Sequence, residues 1–203
     1  MKEFSDLIWY KESAMANEVC ERLIDKFDKD APNQVDSGDL KELDQDTNPH
    51  LRLGKELNVS KFAQQKDGRS AGIWKAEHKN LVNDSATLMR EYGTDVKVDH
   101  RMIPDKFGFE EFRMKRYENN DKDSFGPHVD VFGIDSSRRF LGLFYFLNDV
   151  EEGGEFSFNL FEKDFKPKKG AALIFPATWT YMYEEKIAVS NPKYIIGTYL
   201  HYT

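Results

Sequence analysis

A single cysteine, Cys20, stands among 203 residues, which excludes an intramolecular disulfide and a thiolate-held metal cluster. It lies beside Val19 on an apolar helical face, the setting of a small core residue. Nowhere do eighteen apolar residues run uninterrupted, and the opening MKEFSDLIWYKES lacks the hydrophobic stretch of a signal peptide. Neither a membrane span nor secretion is expected, and the chain reads as cytoplasmic. Basic residues are outnumbered, 29 Lys and Arg against 36 Asp and Glu, for a net charge of -7. Without a basic stripe, a nucleic-acid partner is not expected. Internal repeats and low-complexity tracts are also missing. What remains is 39% hydrophobic and 14% aromatic, with sixteen Phe. That is rich enough for a core and short enough for one domain.

Hydrophobic spacing divides the chain. After Asn17, read as a helix cap, Val19, Cys20, Leu23, Ile24 and Phe27 recur at helical spacing. This helix is expected to dissolve between Asp28 and Pro32. Residues 29–72 are polar and punctuated by Pro and Gly, read as irregular cover with one short strand near Leu51–Leu53. A second helix is expected from Lys75 to Tyr92, with Leu81, Val82, Leu88, Met89 and Tyr92 as its apolar positions. The period then becomes two. Phe109 to Tyr117 alternates, and Phe140 to Leu147 is a buried run. Gly153-Gly154 turns the chain into Glu155 to Leu160. Ala171 to Phe175 is a second buried run, and Lys193 to Tyr202 alternates after the Asn191-Pro192 turn. Helices followed by strand after strand predict an α+β chain built on a sandwich or jelly roll.

The chemistry concentrates at Pro127-His128-Val129-Asp130. A His and a carboxylate two apart on an extended segment face the same side. They supply two members of the 2-His-1-carboxylate set that holds non-haem Fe(II). Together with Leu147 to Glu155, and with Pro167-Lys168-Lys169-Gly170 leading to Phe175-Pro176, this motif resembles the 2-oxoglutarate/Fe(II) dioxygenases. Within them it resembles the prolyl 4-hydroxylase-like branch, notably its small phage and marine bacterial members. The likeness is close from Phe112 to Tyr202. It implies a double-stranded β-helix (jelly roll) with N-terminal supporting helices, a single domain over 1–203 with helical and loop cover in 1–100 and the core in 105–203. It further implies His128 and Asp130 as metal ligands, Lys193 on the distal carboxylate of 2-oxoglutarate, and Tyr117 hydrogen-bonded to that cosubstrate. The implied activity is hydroxylation of an aliphatic C–H of a small molecule or peptide, a peptidyl proline or another amino-acid side chain. The implied cofactors are Fe(II) and 2-oxoglutarate, with ascorbate as an accessory reductant.

One position departs from that pattern. The family's second histidine belongs ten residues before Lys193, where this chain has Tyr183 followed by Glu184-Glu185. Three accounts stay open. Tyr183 ligates as a phenolate, a hard donor that favours Fe(III) and cancels the positive charge left by Fe(II) and one carboxylate. Alternatively Glu185, which shares its strand face, or His201 on the last strand substitutes. The third account is a jelly-roll binding module that has lost oxygen activation. His50, His78 and His100 show no ligand spacing and read as surface residues. Arg138-Arg139 reads as a solvated pair, with contact to a substrate or cosubstrate carboxylate as its alternative.

Overall fold

Strand residues alternate between faces, and that alternation sorts the apolar side chains into two cores. On β7 (Arg139–Phe146), Phe144 and Phe146 point one way while Leu143 and Tyr145 point the other. On β10 (Ala172–Pro176), Leu173 and Phe175 join the first group, Ala172 and Ile174 the second. The computed structural model, which describes residues 3–37, 53–66 and 68–203, places one core between two antiparallel sheets and the other beneath the helices. The larger sheet runs β1 (Trp9–Lys11), β10, β7, β12 (Lys193–Tyr202), β5 (Arg113–Tyr117), β3 (Lys55–Asn58), β2 (Val35–Asp36). A further strand, β4 (Phe107–Phe109), also pairs with β12. The smaller sheet runs β6 (Phe125–His128), β11 (Tyr183–Glu185), β8 (Phe156–Phe158), β9 (Lys163–Phe165). This is the expected jelly-roll arrangement with helices on one side, and the sheets do not close into a barrel.

Helix α1 (Asn17–Lys29) buries Cys20, Leu23 and Phe27 and ends where expected. Asn17 is its first residue rather than its cap, which is Ala16. Helix α3 is longer than the expected Lys75–Tyr92, spanning Arg69–Asp95. Its first turns were masked in the sequence because they dock through polar contacts. The buried carboxylate of Asp30 accepts from Trp74 Nε1 at 2.8 Å, Ser70 Oγ at 3.1 Å and Asn33 Nδ2 at 2.8 Å. Glu77, also buried, holds α3 to α1 through Arg22 at 2.9 Å and Lys26 at 2.5 Å. Ser85 and Tyr145, 3.1 Å apart, tie α3 to β7.

The described residues between 29 and 72 are less irregular than expected. They contain β2, β3 and the short helix α2 (Val59–Ala63). In β3 the inward Glu56 is paired with Arg113 at 2.7 Å, so its burial was invisible to a hydrophobic pattern. Leu51 and Arg52 of the expected short strand lie outside the described residues, and Leu53 is not in a strand. The single strand expected over Phe109 to Tyr117 is divided into β4 and β5. The N-terminal β1, unforeseen, pairs with β10.

Asp30→Ala leaves the indole N–H of the fully buried Trp74 and the Ser70 hydroxyl without their acceptor. A loss of about 3 kcal/mol is expected, a drop of roughly 6–12 °C in thermal midpoint for a chain of this size; a change within about 1 kcal/mol would refute this role. Burial pushes the Glu77 carboxyl up, but hydrogen bonds from Arg22 and Lys26 outweigh it and hold it below its ordinary 4.5. Its contribution is therefore complete above that value and lost as pH falls through the lower folded one. Glu77→Gln should flatten the acid limb of the stability curve below about pH 4.5 relative to wild type, read by urea denaturation across pH.

Candidate metal centre

The smaller sheet sets His128 directly opposite Tyr183 across the β6–β11 ladder. Asp130 follows two residues later and is buried. His128 Nδ1 lies 2.8 Å from the Gly126 carbonyl oxygen. A carbonyl only accepts, so Nδ1 carries the proton and Nε2 keeps its lone pair. Burial lowers the imidazole pKa against the support of Asp130, which keeps the ring neutral and able to ligate. The ring is stacked on Phe125 at 3.5 Å between centroids.

Asp130 is a hub. Its Oδ1 accepts from Tyr199 Oη at 2.6 Å and from Tyr183 Oη at 3.3 Å, and lies 3.8 Å from His128 Nε2. Its Oδ2 and His128 Nε2 are buried and have no hydrogen-bond partner. Two orphaned lone-pair atoms at one spot, one imidazole nitrogen and one carboxylate oxygen, fit a divalent first-row metal. Among the described residues no group of three His, Cys, Asp or Glu side chains could hold a metal ion. The further oxygens at Asp130 are the phenols of Tyr199 and Tyr183. Tyr183 is fully buried, with its ring 5.4 Å from Phe156 and 5.0 Å from Phe175. Burial, then the Asp130 charge, raise its pKa well above 10.0. Without a cation it remains a phenol donating to Asp130; a bound cation acts in the opposite direction.

Tyr117 and Lys193 lie deeper. They are direct cross-strand partners on β5 and β12, and the Lys193 Nζ stands 4.5 Å over the Tyr117 ring. Lys193 has zero exposure. Its Nζ donates to the Gly154 carbonyl at 3.2 Å and pairs with Glu185 Oε2 at 3.2 Å. Glu185 Oε1 lies 3.8 Å from Lys115 Nζ. Burial pushes the Glu185 carboxyl up, and Lys193 and Lys115 outweigh it, holding it below the usual carboxylate value. The Gly153-Gly154 turn delivers that carbonyl. Both glycines have φ of +75°, and a Cβ on Gly153 would meet the Ile187 carbonyl oxygen at 2.2 Å.

A cavity of about 1650 Å³ opens beside this cluster, with His128, Asp130, Lys115, Arg139, Tyr199 and Phe132 among its lining residues. Tyr183, Glu185, Lys193 and Tyr117 are not on its wall. Arg139, read from sequence as solvated, instead clamps Glu110 with 2.8 and 2.9 Å contacts, donates to the Asp130 carbonyl at 3.0 Å and covers the Tyr199 ring at 4.0 Å. His78, read as a surface residue, lines the cavity and packs edge-on against Phe112. His201 packs against Gly108 on β4, away from the cluster. His50 lies outside the described residues. Tyr199 and Lys115 were not anticipated. Inward parity with Lys193 and Tyr117 along β12 and β5 was the available signal.

Residues 112–201 match the family model of the 2OG-Fe(II) oxygenase superfamily. Over those residues the chain is similar to 2OG-Fe(II) oxygenase domains. Solved structures agree in fold. The chain is 17% identical to the viral collagen prolyl hydroxylase of Paramecium bursaria Chlorella virus-1 in its 2OG complex, covering 97% of both chains with a TM-score of 0.65. A Pseudomonas putida prolyl-4-hydroxylase is 12% identical, with 97% of this chain and 93% of that one covered and a TM-score of 0.62. A Trichoplax adhaerens prolyl hydroxylase, solved with a hypoxia-inducible-factor peptide fragment, is 13% identical, with 97% and 84% covered and a TM-score of 0.72. No curated protein matches in sequence. The chain thus shares the jelly-roll fold of these prolyl hydroxylases. No helix among the described residues is long and apolar enough to cross a membrane.

Because Tyr199 anchors Asp130 Oδ1 through the shortest contact of the cluster, Tyr199→Phe should weaken divalent-metal affinity about tenfold. Mn(II) binding followed by electron paramagnetic resonance measures this; unchanged affinity would remove Tyr199 from the centre.

Proposed function

We propose that this oxygenase domain hydroxylates an aliphatic C–H, with its metal held by His128, Asp130 and, as an atypical third donor, Tyr183. The observation that carries the reading is the pair of buried, unpartnered atoms His128 Nε2 and Asp130 Oδ2 beside the Tyr183 phenol. When bound, Fe(II) with 2-oxoglutarate supplies the activation of dioxygen. His128 is held neutral and oriented by Gly126, and Asp130 is oriented by Tyr199. The aromatic box around Tyr183 excludes water on the interior side. Lys193 and Tyr117 form the interior cation-and-phenol pair for the cosubstrate, with Lys193 the partner for its distal carboxylate.

The substrate class is a peptide, a prolyl residue or another amino-acid side chain within one. Support comes from the prolyl hydroxylases that share the fold and from the volume of the cavity, which carries the exposed Phe132 on its wall. Ascorbate, as an accessory reductant, belongs to the same proposal. A second reading, a silent binding module, is favoured by one observation: Glu185 already occupies the Lys193 ammonium.

Anaerobic Fe(II) titration of the metal-free protein, followed by 2-oxoglutarate and then air, tests the proposal. One iron per chain, succinate formation with a prolyl peptide, and a visible phenolate-to-Fe(III) band absent from Tyr183→Phe are expected. Failure to take up iron in wild type would refute the metal centre. Iron uptake with no such band, and unchanged affinity in Tyr183→Phe, would remove Tyr183 from the ligand set.

A further inference from the structure

The inner faces of β11, β12 and β5 converge on one carboxylate. Strand β11 presents Tyr183 and Glu185 on the same side, two residues apart, and both are buried. Strand β12 presents Lys193, and β5 presents Lys115 opposite Ile195. Glu185 lies between the two ammonium groups, 3.2 Å from one and 3.8 Å from the other. Glu185 pairs directly with Lys193, whose Nζ otherwise stands 4.5 Å from the Tyr117 ring centre and 5.3 Å from that of Phe156.

We infer that Glu185 is an intramolecular competitor for the distal carboxylate of the cosubstrate, so that a dicarboxylate 2-oxo acid must displace the Glu185 side chain to reach Lys193. This rests on the proposed use of Lys193 in cosubstrate binding. It goes further by assigning a specificity role to a residue that sequence parity offered only as a substitute metal ligand. Glu185 is not placed for that role: among the described residues no three His, Cys, Asp or Glu side chains come together to hold a metal ion, and its carboxylate oxygens face the two lysines.

The physical basis is charge and space together. A carboxylate with zero exposure is retained only beside cations, and Lys193 and Lys115 provide them. An incoming dianion needs the same ammonium group and the same volume. While Glu185 is in place, Lys193 is neutralised and enclosed. When Glu185 swings away, two lysines face the incoming carboxylate. Arg139 and Arg113, the cavity's guanidinium groups, are held by Glu110 and by Glu56 and Glu111, so neither duplicates this end of the pocket.

The test is calorimetric titration of 2-oxoglutarate, and of glutarate, which has both carboxylates but no chelating oxo group, into the full chain with and without Mn(II). Glu185→Gln keeps the side-chain volume and removes the charge. It should bind both dicarboxylates at least about tenfold more tightly than wild type, and Glu185→Gln/Lys193→Met should lose that gain. Glu185→Asp, which withdraws the carboxylate by one methylene and disturbs folding less, should show a smaller gain in the same direction. Unchanged or weaker binding in whichever of Glu185→Gln and Glu185→Asp folds would overturn the inference. So would a gain that survives the loss of Lys193. Mn(II) uptake is read separately in the same samples. A gain for glutarate without Mn(II) uptake would leave the inference standing and remove the metal centre; Mn(II) uptake with no gain would do the reverse.

Discussion

The sandwich closes around an ion pair. Lys193 at the start of β12 and Glu185 at the end of β11 belong to different sheets, and both have almost no exposure. Either charge alone in that position would cost several kcal/mol. Together, with Lys115 and the Gly154 carbonyl, they turn two prohibitive burials into one tolerable contact between the layers. The requirement propagates outward. The carbonyl of Gly154 reaches Lys193 because two consecutive residues adopt positive φ, and the Tyr117 ring receives the ammonium because β5 pairs with β12 residue for residue. A register slip of one residue would send Lys193 and Lys115 to the helix-covered face.

Asp130 organises the mouth as that pair organises the interior. Its two oxygens have different tasks. Oδ1 receives two tyrosine hydroxyls, which fix the carboxylate plane, while Oδ2 stays without a partner beside the equally unpartnered Nε2 of His128. Hydroxyl donors on a ligating carboxylate fix its direction and draw off part of its charge. Arg139 reinforces this by holding the Asp130 carbonyl and covering Tyr199, so a residue on β7 helps orient the carboxylate that follows β6 of the other sheet.

Much of this was legible in the sequence, for identifiable reasons. Strands β7, β10 and β12 announce themselves as apolar or alternating runs because one or both faces are buried. His128 and Asp130 were legible because parity alone puts them together. What escaped detection was held by polar contacts. Strand β3 buries Glu56 against Arg113, and the first turns of α3 dock through Ser70 and Trp74 on Asp30, so neither produces a hydrophobic period. Arg139 read as solvated because its partner Glu110 is 29 residues away. Tyr199 and Lys115 were readable only as parity, which says which face a side chain takes and not what it meets there. The Glu185–Lys193 pair was half visible: both residues were singled out, each for a different partner.

At 12–17% identity the prolyl-hydroxylase structures establish the scaffold, and chemistry has to be argued from side chains. Here two residues of β11 act in one direction. A phenolate at 183 would cancel positive charge at the metal, and a carboxylate at 185 neutralises the lysine that would receive the far end of a dianion. Each alone weakens the field that attracts a dicarboxylate. Lys115 opposes both, since it brings a second ammonium to the same carboxylate. Before any metal binds, the formal charges of Lys193, Lys115, Glu185 and Asp130 cancel. A divalent ion with a phenolate then leaves a single positive charge to meet a dianion, whereas a site with Glu185 withdrawn from the pocket meets it with one charge more. The position of one glutamate side chain therefore decides whether the interior favours an incoming dicarboxylate, and strand parity ties that side chain to the same face as Tyr183.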